Sequence, residues 1–149
     1  MAYLVDTNIL IRLANTADAS HAVASRAVVM LHLRGVILHT APQNFVEFRN
    51  VATRPIAANG LGLTGIEAER KAANFEPTFP LLPETPDLFP AWKALVAAGA
   101  VIGKQVHDAR LVAICHVHGV THLLTFNGPH FARLASFGPG LAVVGPTSI

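Results

Sequence analysis

Short apolar runs alternate with amphipathic stretches along the whole chain. Met1 to Val5 is apolar and suits a strand, and the cap-type residues Asp6-Thr7-Asn8 behind it open a helix through about Asn15. His21 to Arg34 reads as a second helix, closed by Gly35 as a C-terminal cap. Val36 to Thr40 is a short strand. Pro42, favoured in a first helical turn, begins a helix that Pro55 ends near Arg54. Ala57 to Leu63 is a glycine-punctuated loop, and Thr64 with Glu67 forms a capping-box pattern ahead of a helix through Phe75. Pro77, Pro80, Pro83, Pro86 and Pro90 mark an extended connection, with room for a short strand around Phe79 to Leu82. A helix from about Asp87 to Ala98 follows, then a glycine-spaced loop to Gly103. Gln105 to His118 is helical, apolar nearly all round, and stopped by Gly119. Val120 to Thr125 is a strand, Pro129 to Leu134 a short helix, and Leu141 to Val144 a last strand.

Strands alternating with helices predict an α/β domain with a largely parallel sheet, and no linker divides residues 1–149. Composition narrows the class. Apolar residues make up 52% and charged ones 13%, about half the usual share of charge, which excludes a disordered chain. Mean hydropathy is +0.45, yet the longest charge-free apolar stretch, Ala94 to Gly103, is far short of the roughly 18 residues a span needs. The start has no basic flank and Asp6 interrupts its apolar run, so no signal peptide is expected. The single cysteine, Cys115, excludes an internal disulfide and any multi-cysteine metal cluster. A formal charge of +2 does not by itself mark a nucleic-acid binder. The expectation is a cytoplasmic globular domain without a membrane anchor, whose apolar surplus calls for a protein partner.

Parallel sheets bind ligands beyond the carboxyl ends of their strands, where helix N-termini also point. Four polar residues fall near that edge. Asp6 ends the first strand, Glu47 lies in the second turn of the helix after the second, Asp108 is in the first turn of the apolar helix, and Asn127 follows Leu124-Thr125. Each also has a purely structural reading. Asp6 suits an N-cap, and Asn127 before Gly128-Pro129 suits a turn. Glu47 shares a helical stripe with Gln43, Asn50 and Arg54, opposite Phe45, Phe48 and Ala52, which a solvated face explains equally well. Asp108 lies on an apolar stripe between Leu111, Val112 and Cys115, so it is either a partner of the helix dipole or part of a desolvated polar site.

The combination carries more than its members. Carboxylates converging on one edge repel and raise one another's pKa unless a cation neutralises them. Hard oxygen donors without thiolates suit Mg²⁺ or Mn²⁺, ions that activate water and support displacement at phosphorus. The residues also resemble a known family. Tyr3-Leu4-Val5-Asp6-Thr7-Asn8-Ile9-Leu10, Pro42-Gln43-Asn44-Phe45-Val46-Glu47-Phe48, His107-Asp108-Ala109-Arg110-Leu111 and Leu123-Leu124-Thr125-Phe126-Asn127 are similar, in order and spacing, to the PIN-domain ribonucleases. Within these, they resemble the VapC-like toxins of type II toxin–antitoxin pairs.

The resemblance implies a three-layer α/β/α sandwich with a mostly parallel central sheet. It implies a Mg²⁺ or Mn²⁺ site and endonucleolytic RNA cleavage by metal-activated water, leaving 5′-phosphate and 3′-hydroxyl ends. By the same resemblance, Asp6, Glu47 and Asp108 bind metal, Asn127 occupies a fourth catalytic position that is usually Asp, and Thr125 supports the site from behind. Asn127 contributes no charge, which bears on a second metal rather than the first. A homodimer and a cognate antitoxin, whose C-terminal segment covers the site, are implied as partners.

Arg12, Arg49, Arg54 and Arg110 lie on or near the acid-bearing helices and are candidate RNA contacts, although each also suits an ordinary surface position. His116 and His118 diverge by about 200° around their helix and so do not share a metal; they read as helix-end and surface residues. His130, near Asn127, is a candidate substrate contact. The rival reading is a non-catalytic α/β binding module with an acidic metal-binding pocket. A receiver-like module is disfavoured by a lone Asp6 where paired acids are usual, an Asp-x-Asp phosphatase by Asn8, and a nucleotide binder by the lack of a phosphate-cradling glycine loop.

Overall fold

The computed structural model describes the whole chain, Met1–Ile149. Four strands, β1 (Ala2–Val5), β2 (Ile37–His39), β3 (His122–Leu124) and β4 (Ala142–Val144), form one sheet in the order β2-β1-β3-β4. All three pairings are parallel. Seven helices surround it: α1 (Thr7–Ala14), α2 (His21–Leu33), α3 (Pro42–Ala52), α4 (Gly65–Phe75), α5 (Leu88–Ala98), α6 (Gln105–His118) and α7 (Gly128–Ala135). No helix is long and apolar enough to cross a membrane.

The layering follows from strand alternation. Successive residues of a strand face opposite sides of the sheet, so each strand feeds two cores. On one side Leu4 and Leu123 pack with Leu95 of α5, Leu111, Val112 and Cys115 of α6, and Phe131 and Leu134 of α7. On the other, Tyr3, Val5, Leu38 and Leu124 pack with Ile9 and Leu10 of α1, Val28 and Leu31 of α2, Phe48 of α3 and Ala68 of α4. The result is an α/β/α sandwich with both sheet faces covered, which is why its strands read as continuous apolar runs.

Capping signals place the helix ends. Thr64 accepts from the Glu67 amide while the Glu67 carboxylate accepts from the Thr64 amide, the reciprocal box that opens α4. Gly119, at φ 65°, closes α6 in the left-handed conformation that glycine adopts without strain. Two expectations are revised. The glycine-punctuated loop begins with a 3-10 turn, Ile56–Ala58. The strand expected around Phe79 to Leu82 shrinks to one parallel bridge between Thr40 and Leu81, because Pro80 and Pro83 remove the donors a longer ladder needs.

The strand order decides where a site can form. From β1 the chain crosses to β2 on one side, and β3 returns on the other, so the connections diverge around the end of β1. In such sheets a crevice opens at that switch point, beyond the carboxyl ends. Asp6 is the next residue.

Candidate active site

A cleft of about 860 Å³ opens at this switch point. Asp6, Glu47, Asp108 and Asn127 all line it, together with Thr7, Asn8, Gln43, Arg12, Lys104 and His107. Four residues spread over 121 positions of sequence thus meet at one edge, as their spacing predicted.

Asp6 is both cap and cleft residue. Its backbone is extended and its amide donates to the Leu124 carbonyl at 2.9 Å, which continues the β1–β3 ladder and sets Asp6 beside Thr125. One carboxylate oxygen accepts from the Thr7 amide (2.7 Å) and the other from the Thr125 hydroxyl (2.7 Å). Thr125 Oγ1 in turn accepts from the Asn127 amide (2.9 Å) and from Asn8 Nδ2 (3.2 Å). With one bond donated and two accepted, that buried hydroxyl is saturated. Its loss strands three groups at once. Thr125→Val is therefore expected to destabilise the fold by about 1–3 kcal/mol, read from urea unfolding midpoints at constant m-value.

Glu47 is held at both oxygens as well. Oε2 accepts from the Thr7 hydroxyl (2.9 Å) and Oε1 from Gln43 Nε2 (2.6 Å). Thr7 Oγ1 is fixed from behind by Asn44 Nδ2 (3.2 Å), and Asn44, fully buried, also donates to the Val5 carbonyl and accepts from the Ala41 amide. Asn44 thereby ties the N-terminus of α3 to the end of β1.

Electrostatics match the crowding. Asp6 is only 7% exposed, and burial pushes its carboxyl from 3.8 up to about 6, against the opposing bonds from Thr125 and Thr7 and with added repulsion from Glu47 and Asp108. Asp108 is half-buried and is also pushed up, first by burial; His130 and His107 pull the other way, while Glu47 adds repulsion. A carboxylate serving only its helix dipole would shift down. Desolvation at Asp108 fits the second of the two readings its apolar stripe allowed, and Asp6 is buried more deeply still, because the end of β1 lies between the two cores.

No three His, Cys, Asp or Glu side chains are gathered closely enough to form a ready-made cage. The donor set of carboxylates and one amide is uniformly hard oxygen, and it fits Mg²⁺ or Mn²⁺.

The four arginines separate. Arg12 lines the cleft, its guanidinium 4.8 Å above the Phe126 ring. Arg49, Arg54 and Arg110 do not line it. Arg49 leans toward Gly65 at the start of α4, the Arg54 backbone carbonyl accepts from the Gly62 amide, and Arg110 turns into a neighbouring recess. Sequence reasoning missed Lys104 and His107 on the rim, and the supporting quartet Thr7, Asn8, Gln43 and Asn44. The signal was available in the polar doublets that follow β1 and open α3. His118 bonds to the Pro83 carbonyl, as a helix-end residue does, while His116 is half-buried with Nε2 unpartnered, so it is not simply a surface residue.

Comparison with known proteins bears on the family and the fold. The PIN domain family pattern matches residues 3–136. A search of curated proteins gives no match. Among solved structures, VapBC2 from Rickettsia felis, bound to a DNA fragment from its promoter, is similar at a TM-score of 0.71 and 15% identity, covering 97% of this chain and 98% of that one. The sarcin-ricin-loop-cleaving toxin VapC20 of Mycobacterium tuberculosis is similar at 0.64 and 22% identity, covering 87% and 93%. A toxin–antitoxin complex from Klebsiella pneumoniae gives 0.63 and 22%, covering 97% of each chain.

Proposed function

Because this chain belongs to the PIN-domain family, we propose that it is a Mg²⁺- or Mn²⁺-dependent endoribonuclease and the toxin of a toxin–antitoxin pair. The observation that carries this reading is the convergence of Asp6, Glu47 and Asp108 on one cleft at the switch point of the sheet, two of them with raised carboxyl pKa values. Such an arrangement costs stability in the absence of a cation, and function is the ordinary reason to keep it.

Asp6, Glu47 and Asp108 would hold the ion, with Asn127 orienting water or substrate through its amide. When bound, the ion supplies an activated water and neutralises charge at the scissile phosphate. The chain's own residues do the positioning. Thr7 and Thr125 hold Asp6, while Thr7 and Gln43 hold Glu47, so neither carboxylate has to reorganise on binding. Arg12 and Lys104, at the cleft, supply positive charge for the RNA backbone.

The partner part of the reading rests on the toxin–antitoxin complex among the structural relatives and on apolar surface. Val46, Ile56, Ile66 and Phe89 are all large, apolar and exposed, the kind of surface that an antitoxin or a second copy of the chain covers.

The test is direct. Purified protein incubated with single-stranded RNA is expected to yield discrete fragments in Mg²⁺ or Mn²⁺ and none in EDTA. Full cleavage in excess EDTA sinks the metal assignment. Absence of cleavage by folded, Mn²⁺-binding protein would leave the non-catalytic binding module as the better reading.

A further inference from the structure

From Glu47 a polar chain runs out of the cleft to a separate recess at the surface. Gln43, one turn before Glu47 on α3, is only 7% exposed. Its Nε2 donates to Glu47 Oε1 at 2.6 Å and to the His107 carbonyl at 2.9 Å. Its Oε1 accepts from Arg110 Nη1 at 3.0 Å, and Arg110 Nη2 is paired with Glu84 at 2.7 Å. Every hydrogen-bonding direction of the Gln43 amide that meets protein is used.

We propose that Gln43 is a positioning residue for Glu47, and that Arg110 acts on the site only through Gln43. This rests on the metal-dependent reading given above. An amide can be turned two ways. Turned the other way, Gln43 would set its oxygen against the Glu47 carboxylate and the His107 carbonyl, acceptor against acceptor, and its amino group against a guanidinium. Arg110 has donors only, so it selects the orientation in which Nε2 points at Glu47. Because His107 precedes Asp108, the same amide also ties α3 to the first turn of α6. It therefore sets the spacing of two carboxylates that would otherwise repel. Arg110 itself lines a recess with Glu84, Thr85, Leu88, Phe89 and Trp92, outside the cleft. Its sequence position beside Asp108 suggested an RNA contact, and the geometry assigns it a role behind the site instead.

The experiment is a double-mutant cycle of Arg110→Met, Gln43→Met and the pair. It is read by Mn²⁺ titration calorimetry without RNA, by cleavage kinetics, and by the Gln43 side-chain amide signals in ¹⁵N NMR spectra. Partners behind a metal ligand typically contribute tenfold or more to affinity, so each single variant is expected to weaken Mn²⁺ binding about tenfold. Each should also lower kcat at unchanged KM for RNA. The double variant should be no worse than Gln43→Met alone, because Arg110 has nothing left to act on. The Gln43 amide signals should move in Arg110→Met. Arg110 is only half-buried, so this variant carries the test even if Gln43→Met fails to fold.

A raised KM in Arg110→Met, with Mn²⁺ affinity unchanged and an effect that adds to that of Gln43→Met, would make Arg110 an RNA contact and overturn the proposal. A wild type that neither binds Mn²⁺ nor cleaves RNA defeats the function reading instead. The amide signals then still decide: if Arg110→Met leaves them where they were, Arg110 does not orient Gln43.

Discussion

Asp6→Asn, Glu47→Gln and Asp108→Asn are each expected to cut metal-supported RNA cleavage at least about a hundredfold, the scale on which preorganised charge stabilisation acts, while leaving the protein folded. The amide replacements keep shape and remove charge. At Asp6 the helix cap survives, since Asn caps about as well as Asp. At Glu47 the cost has two parts: the charge is lost, and the new amino group must face either the Thr7 hydroxyl or Gln43 Nε2, both of which donate to the carboxylate in the native site. At Asp108 the change relieves a half-buried charge beside Glu47, so the fold should tolerate it. Asn127→Ala should cost less, because that residue is exposed and its hydrogen bonds are made by the backbone, the amide to Thr125 and the carbonyl from the His130 amide. Initial rates on a fluorogenic RNA in Mn²⁺, with circular dichroism as the check on folding, measure all four. Two of the three acidic variants retaining the wild-type rate would sink the assignment of the site.

The elements that were legible in the sequence are those whose ends carry local chemistry. The Thr64–Glu67 box, the αL glycine at Gly119 and Pro42 at the start of α3 mark their helices wherever the rest of the chain goes. The acids were legible for a related reason: Asp6 follows a strand, and Glu47 and Asp108 lie in the first two turns of their helices near the carboxyl edge, which is fixed by the parallel topology. What escaped depends on distances between segments far apart in the chain. Arg110 beside Asp108 looks like a phosphate contact until Gln43, 67 positions earlier, is seen to accept from it. The supporting place expected of Thr125 gains its partners only from the fold, which sets its hydroxyl against Asp6, 119 positions earlier, and beside Asn8. Relative depth is hidden for the same cause. A helical wheel shows Asp108 among apolar neighbours on its own helix, but it cannot show that the end of β1 lies between two cores and buries Asp6 more completely.

That burial leads to the second large effect. The metal-free protein is expected to be more stable at pH 5 than at pH 7.5, and Asp6→Asn to flatten the difference. The Asp6 carboxyl is held at about 6 in the folded chain against 3.8 as its ordinary value, chiefly because burial disfavours the charged form. A raised folded pKa means that the folded state binds the proton more tightly than the unfolded state does. Its contribution is therefore fully present below pH 3.8 and is lost as pH rises through about 6. In full it is on the order of 3 kcal/mol, of which roughly half returns by pH 5, or a few degrees in Tm for a chain of this size. Two histidines oppose the trend. Burial lowers the pKa of His116 and His122, so their protonation on acidification favours the unfolded chain. Comparing wild type with Asp6→Asn cancels those contributions and leaves the carboxyl alone. The variant should melt higher than wild type at pH 7.5 in EDTA and should converge with it toward pH 4. Mg²⁺ at a thousand times its Kd should reverse the order, since a ligand at that excess stabilises the folded state by about 4.1 kcal/mol and the variant forfeits most of that. An Asp6→Asn protein that melts below wild type in EDTA, with the same pH slope and no difference in its response to Mg²⁺, would reduce Asp6 to the cap of α1 and remove it from the site.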